Sequence, residues 1–164
     1  MRSLLDINVL IAMFDPDHVS HVPAMQWFTA HAREGWASCP LTQNGCIRIM
    51  SSPSYANPQP VQALVRRLAD ACAQGIHEFW PDAPSLLDST AFDATRIHGP
   101  RQITDVYLLG LAVRNGGRFV TFDGRVPLPA VRHATEENLL VLQSGCPALQ
   151  GEFAVEQHRP SSSQ

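Results

Sequence analysis

Between Ile103 and Asp123 the chain reads ITDVYLLGLAVRNGGRFVTFD, a helix and then a strand with a carboxylate near each outer end. Thr104 is placed to cap the helix and Asp105 falls in its first turn. Val106, Leu109, Ala112 and Val113 recur at helical spacing, and Leu108 and Leu111 broaden the apolar face. Gly116 and Gly117 end the helix, Arg118 to Phe122 make a short apolar strand, and Asp123-Gly124 closes it. About eleven helical residues at ~1.5 Å each advance ~16 Å. About five strand residues at ~3.3 Å each advance roughly the same distance. Packed antiparallel, as in a βαβ unit, the pair brings the chain back to where it began. Asp105 and Asp123 then emerge on one sheet edge, at the carboxyl ends of the strands, where open α/β sheets hold their ligands. Two carboxylates gathered in this way need a counter-charge, and a divalent cation is the obvious one.

The N-terminus repeats this grammar. Ser3-Leu4-Leu5 is a buried strand ending in Asp6, and Ile7 to Phe14 continues as a helix that carries Asn8 in its first turn. Asp15-Pro16-Asp17 is a turn, and His18 to Glu34 reads as a second helix stopped by Gly35. Trp36 to Cys39 is a second strand; Pro40-Leu41-Thr42 leads into the helix QNGCIRIMSS, which Pro53 ends. Val61 to Ala73 is an amphipathic helix and Glu78-Phe79-Trp80 a third strand. Pro84 to Ala94 is expected to form a helix or an irregular cap, and Val131 to Ala134 and Leu139 to Leu142 two short strands. Strands alternating with helices predict a mainly parallel sheet covered on both faces. The expected organisation is one domain over residues 1–143 and a polar tail over 144–164 with a mobile end.

Composition narrows the class. With 164 residues, 45% of them hydrophobic and 16% charged, the chain is long enough for a real core and is not disordered. No apolar run of transmembrane length and no signal-peptide pattern is present, so a cytoplasmic protein with no membrane partner is expected. Cys39, Cys46, Cys72 and Cys146 form no CxxC pair and read as thiols in a reducing compartment. The net charge of −3 argues against nonspecific polyanion binding but leaves room for a nucleic-acid enzyme with local basic groups.

Asp6, Asp105 and Asp123 thus share one edge. A carboxylate trio without Cys or His ligands favours Mg²⁺ or Mn²⁺. Such an ion activates water and stabilises in-line attack on phosphorus, the chemistry of a phosphodiesterase or nuclease. Each aspartate alone reads as a cap or turn residue; their joint placement makes the metal site.

LLDINVLI, CPLTQNGCIRI and RQITDVYLLGLAVRNGGRFVTFD, in that order and spacing, resemble a PIN-domain ribonuclease, and more narrowly a VapC toxin of bacterial type II toxin–antitoxin systems. The resemblance extends to about Leu142. It implies a three-layer α/β/α sandwich, Mg²⁺- or Mn²⁺-dependent RNA cleavage, a homodimer and inhibition by a VapB-like antitoxin. It places the family's first acid on Asp6, the third on Asp105 and the fourth on Asp123, with Asn8 and Thr121 as supporting polar residues and Arg48 as the arginine on the helix after the second strand. Where the family carries its second acid, a glutamate, this chain has Gln43. Glutamine is nearly isosteric but neutral, so the cluster has one charge fewer to attract a cation and less internal repulsion.

Other residues carry less. Asp15, Asp17, His18 and His21 spell a metal-like cluster, but a polar turn and helix start explains it. Asp88 and Asp93 suit a solvated face. Arg101, just before Asp105, is a candidate phosphate contact alongside Arg48, with a surface ion pair as the plain reading. Trp27, Trp36 and Trp80 are spaced as core residues. The leading expectation is a metal-dependent endoribonuclease toxin. The alternative is a catalytically attenuated RNA-binding or antitoxin-binding module, marked by Gln43. A phosphatase-like hydrolase using Asp6 as nucleophile ranks last, because Asn8 stands where that chemistry uses a second aspartate.

Overall fold

A computed structural model describes residues 1–144; the expected tail beyond them, with Cys146, lies outside the described residues. The elements run β1 (Ser3–Leu5), α1 (Ile7–Phe14), α2 (His21–His31), β2 (Trp36–Ser38), α3 (Pro40–Met50), α4 (Val61–Cys72), β3 (His77–Phe79), α5 (Ile103–Arg114), β4 (Arg118–Thr121) and β5 (Leu139–Val141). The five strands form one sheet in the order β3-β2-β1-β4-β5, and every neighbouring pair is parallel.

Period-two alternation sends successive side chains of the central strands to opposite faces. Leu5, Trp36 and Val120 join Val9, Leu10 and Met50 in the core beneath α1, α3 and α4. Leu4, Ala37 and Phe119 join Val106, Leu109 and Phe92 in the core beneath α5. The sheet is therefore the middle of a three-layer α/β/α sandwich. This is why β1 and β2 are buried along their whole length and carry no polar-out alternation.

The strand order also fixes where a ligand can sit. From β1 the chain steps outward through β2 to β3, then returns to the other side of β1 for β4 and β5. The order reverses between β1 and β4, and the crevice outside the carboxyl ends of such a pair is the usual ligand site of an open α/β sheet. Asp6 follows β1 directly, and its amide donates to the Val120 carbonyl at 2.9 Å.

Several boundaries differ from the sequence expectation. α5 begins at Ile103 behind Gln102, with no side-chain cap, so Thr104 does not cap it. α3 begins at Pro40, which suits a first helical position because its missing N–H would be unpaired there anyway. The expected helix over 18–34 splits into α2 and a 3-10 turn over Ala32–Glu34, and β3 starts one residue early, at His77. Residues 84–92 contain no α-helix; Phe92 instead makes an isolated antiparallel bridge to Val131, where a strand was expected. The Phe92 ring lies where any β-carbon on Gly110 would stand, at 2.4 Å, so this cap and α5 are fitted to a helical glycine. α5 ends with Gly116 in the left-handed region at φ 63°. No described helix is long and apolar enough to cross a membrane.

Candidate acidic metal site

The site is built from the end of β1, the end of β4 and the first turn of α5. Asp6 is only 5% exposed. One of its carboxylate oxygens accepts from the Ile7 amide at 2.6 Å, capping α1. The other accepts from the Thr121 hydroxyl at 2.6 Å. Thr121 Oγ1 in turn accepts from Asn8 Nδ2 at 3.3 Å and from the Asp123 amide at 3.0 Å. A single threonine hydroxyl thus ties the first strand's acid to the turn that carries the last one, and Asn8 Oδ1 accepts the Phe122 amide at 3.4 Å beside it.

The electrostatics follow from burial and proximity. Burial raises the Asp6 carboxyl above the ordinary range against its hydrogen bonds, and the charge of Asp123 pushes the same way. Asp105 is pushed up to about 6, first by burial and then by the charges of Asp6 and Asp123. It receives no hydrogen bond from the described residues. Asp123 is held down at about 2 by Arg125. Arg125 Nε donates to Oδ1 at 2.9 Å and its terminal NH2 nitrogen to Oδ2 at 2.7 Å.

Arg125 was not singled out from the sequence. The contact depends on the tight turn at Asp123-Gly124, in which the Arg125 amide also bonds Asp123 Oδ1 at 2.9 Å; an Asp two residues before an Arg is the only signal available.

Gln43, on α3, bonds a different partner. Its side-chain amide donates to Ser38 Oγ at 2.9 Å, and Ser38 Oγ stands 2.8 Å from His77 Nε2. None of its hydrogen bonds reaches Asp6, Asp105 or Asp123. Arg48 is exposed on α3 and lines a recess of about 290 Å³ with Ile7, Asn44, Asp82 and Thr104, the immediate chain neighbours of Asp6 and Asp105 among them. Arg101 is exposed in the 3-10 turn Pro100–Gln102, before α5. Neither arginine forms an ion pair with a described residue.

The remaining candidates have local duties. Tyr55 donates its hydroxyl to Asp15 at 2.5 Å, and Asp15 accepts the Asp17 amide, as a polar turn requires. The His18 and His21 rings bond backbone atoms at Ser20 and Ala12. Asp88 and Asp93 accept from Thr90 and Thr95 within their own turns. Trp36 and Trp80 are buried, and the indole N–H groups of Trp27 and Trp80 have no partner among the described residues. Cys39 and Cys46 are buried thiols, Cys46 pushed up to about 12 by desolvation.

Among the described residues, no three His, Cys, Asp or Glu side chains are gathered closely enough to hold an ion as they stand. Both oxygens of Asp123 are turned to Arg125. The donor set nevertheless fits a hard divalent cation. It is oxygen-only, and the Asp105 carboxylate, in the first turn of α5, has no hydrogen-bond donor among the described residues.

Comparison with known proteins gives the family. The model of the PIN domain family matches residues 3–132. The chain is 49% identical over 142 residues to Ribonuclease VapC44 of Mycobacterium tuberculosis, covering 87% of this chain and 100% of that protein. It is 42% identical over 142 residues to Ribonuclease VapC38 of the same organism, covering 85% and 99%. To Ribonuclease VapC39 it is 42% identical over 124 residues, covering 75% and 89%.

Proposed function

Because this chain belongs to the PIN-domain family, within its VapC ribonucleases, we propose that it is the toxin of a toxin–antitoxin pair, an endoribonuclease whose phosphodiester hydrolysis depends on Mg²⁺ or Mn²⁺. The observation that supports the catalytic reading is the bonding of Thr121, whose hydroxyl donates to Asp6 after β1 and accepts the Asp123 amide after β4, beside the first turn of α5 that carries Asp105.

In this reading Asp6, Asp105 and Asp123 hold the cation, directly or through its waters. An ion bound there would supply an acidified water and charge neutralisation at the phosphate. The protein's own residues do the positioning. Thr121 and the Ile7 amide fix both oxygens of Asp6, so its orientation does not depend on the ion. Asn8 holds Thr121 and the Phe122 amide in register. Asp105 has no competing donor among the described residues. Arg48, beside the recess that adjoins Ile7 and Thr104, grips the RNA backbone as a planar phosphate donor, with Arg101 on the α5 side. Gln43 offers an amide oxygen but no charge.

A VapB-like antitoxin as inhibitor, a homodimer as the working assembly and action in the cytoplasm belong to the same proposal. The test is sequencing of RNA 5′ and 3′ ends after induced expression. New ends at defined positions, absent with Asp6→Asn, support the reading; identical end profiles for the two proteins overturn it.

A further inference from the structure

The ion pair of Asp123 with Arg125 has an unusual placement. It occupies both oxygens of an acid expected to serve a cation, and it does so with a side chain that is 76% exposed. A mainly structural ion pair would gain little in such a position, because solvent screens it and side-chain entropy opposes it. The backbone at this point is hydrogen-bonded on both sides of Arg125. The Arg125 amide donates to Asp123 Oδ1 at 2.9 Å, and Gln102 Nε2, just before α5, donates to the Arg125 carbonyl at 3.1 Å. The guanidinium is therefore an exposed positive charge carried on a hydrogen-bonded turn.

Asp105 is the one acid of the three without a hydrogen bond from the described residues, Gln43 is neutral, and Arg125 makes its ion pair with Asp123. A carboxylate engaged by both arms of a guanidinium cannot give both oxygens to a metal ion. Loading the ion means exchanging one cation for another.

Resting on the metal-dependent reading above, we propose that Arg125 is the site's resident counter-cation: it holds Asp123 in the ion-free protein, competes with the divalent cation for that carboxylate, and so sets the concentration at which the site fills. Removing it raises affinity for the ion. It also leaves the ion-free site with uncompensated repulsion.

Isothermal titration of the full chain with Mn²⁺, in the absence of RNA, tests this. Arg125→Ala is expected to bind Mn²⁺ roughly two- to five-fold more tightly than the parent, the range expected for losing an exposed ion pair from the competition. Arg125→Lys, which keeps the charge, is expected to stay near the parent. Thermal unfolding gives a second readout: Arg125→Ala should melt below the parent in chelator, and the gap should close at saturating Mn²⁺. A merely structural arginine would leave the gap unchanged. Mn²⁺ binding by the parent that Arg125→Ala leaves equal or weakens overturns the proposal alone. Absence of Mn²⁺ binding in all three proteins overturns it together with the metal-dependent reading.

Discussion

The Thr121 hydroxyl donates to the Asp6 carboxylate at 2.6 Å, joining two residues 115 positions apart in the sequence. The same hydroxyl accepts the Asp123 amide, so it links the acid after the first strand to the turn that carries Asp123. Replacing Thr121 with Val keeps the shape and removes the donor, leaving one oxygen of a buried carboxylate without its partner. Loss of about 1–3 kcal/mol of stability is expected at pH 8. The loss should shrink in acid, where Asp6 is protonated, and Thr121→Ser should recover most of it. Urea unfolding at pH 8 and pH 4 checks both; equal stability of Thr121→Val and parent at pH 8 would contradict the role given to this bond.

Asp105 is pushed up to about 6 by burial and by two like charges. Its charged form is therefore disfavoured in the folded state relative to the unfolded chain, where the ordinary value is 3.8. A raised acid contributes stability when protonated and loses it as pH rises through the folded value. Asp105→Asn, without that charge, should match the parent below about pH 4, gain on it between pH 4 and 6, and hold an advantage of ~1–2 kcal/mol above, after discounting for solvent screening. The same substitution should abolish RNA cleavage. Unfolding curves from pH 4 to 8 without divalent ions decide it. A variant less stable than the parent at pH 8 would mean that Asp105 holds the fold together instead of straining it.

Legibility from the sequence tracks how much of each element is dictated locally. β1, β2, β4 and the helices after them are readable because buried strands are short apolar runs and their ends are marked by Asp6, Pro40, Gly116 and Gly117. The first-turn position of Asp105 depends only on helical spacing. What could not be read depends on tertiary partners. The segment over 84–92 carries apolar residues that suit a helix, yet Phe92 is claimed by Val131 and by the space above Gly110. Thr104 has the chemistry of a cap, but the 3-10 turn Pro100–Gln102 runs straight into α5 and leaves no cap position for it. The clasp of Arg125 on Asp123 and the contact of Gln43 with Ser38 are side-chain choices made after the backbone is in place, and no spacing rule announces them.

Gln43 donates its amide to Ser38, whose hydroxyl also contacts His77. Glutamate in its place cannot donate. It would instead accept from the Ser38 hydroxyl and bring a negative charge to the edge shared with Asp6. Gln43→Glu should raise Mn²⁺ affinity by roughly five-fold, about 1 kcal/mol for one added charge at partly screened range, or raise RNA cleavage. Parallel Mn²⁺ titrations and cleavage assays of the two proteins check this. Equal or weaker binding with no gain in cleavage would place Gln43 outside the site's electrostatics.

The central claim is that three aspartates at the β1–β4 switch point cleave RNA with a divalent ion. The most direct measurement is the rate at which the purified chain cuts total RNA in Mn²⁺, in Mn²⁺ with excess chelator, and as Asp6→Asn in Mn²⁺. Cleavage in the first condition alone is the expected result, with Asp6→Asn slower on the order of a hundredfold or more. An Asp6→Asn protein that cuts at the parental rate, or a parent whose cleavage survives the chelator, would contradict it.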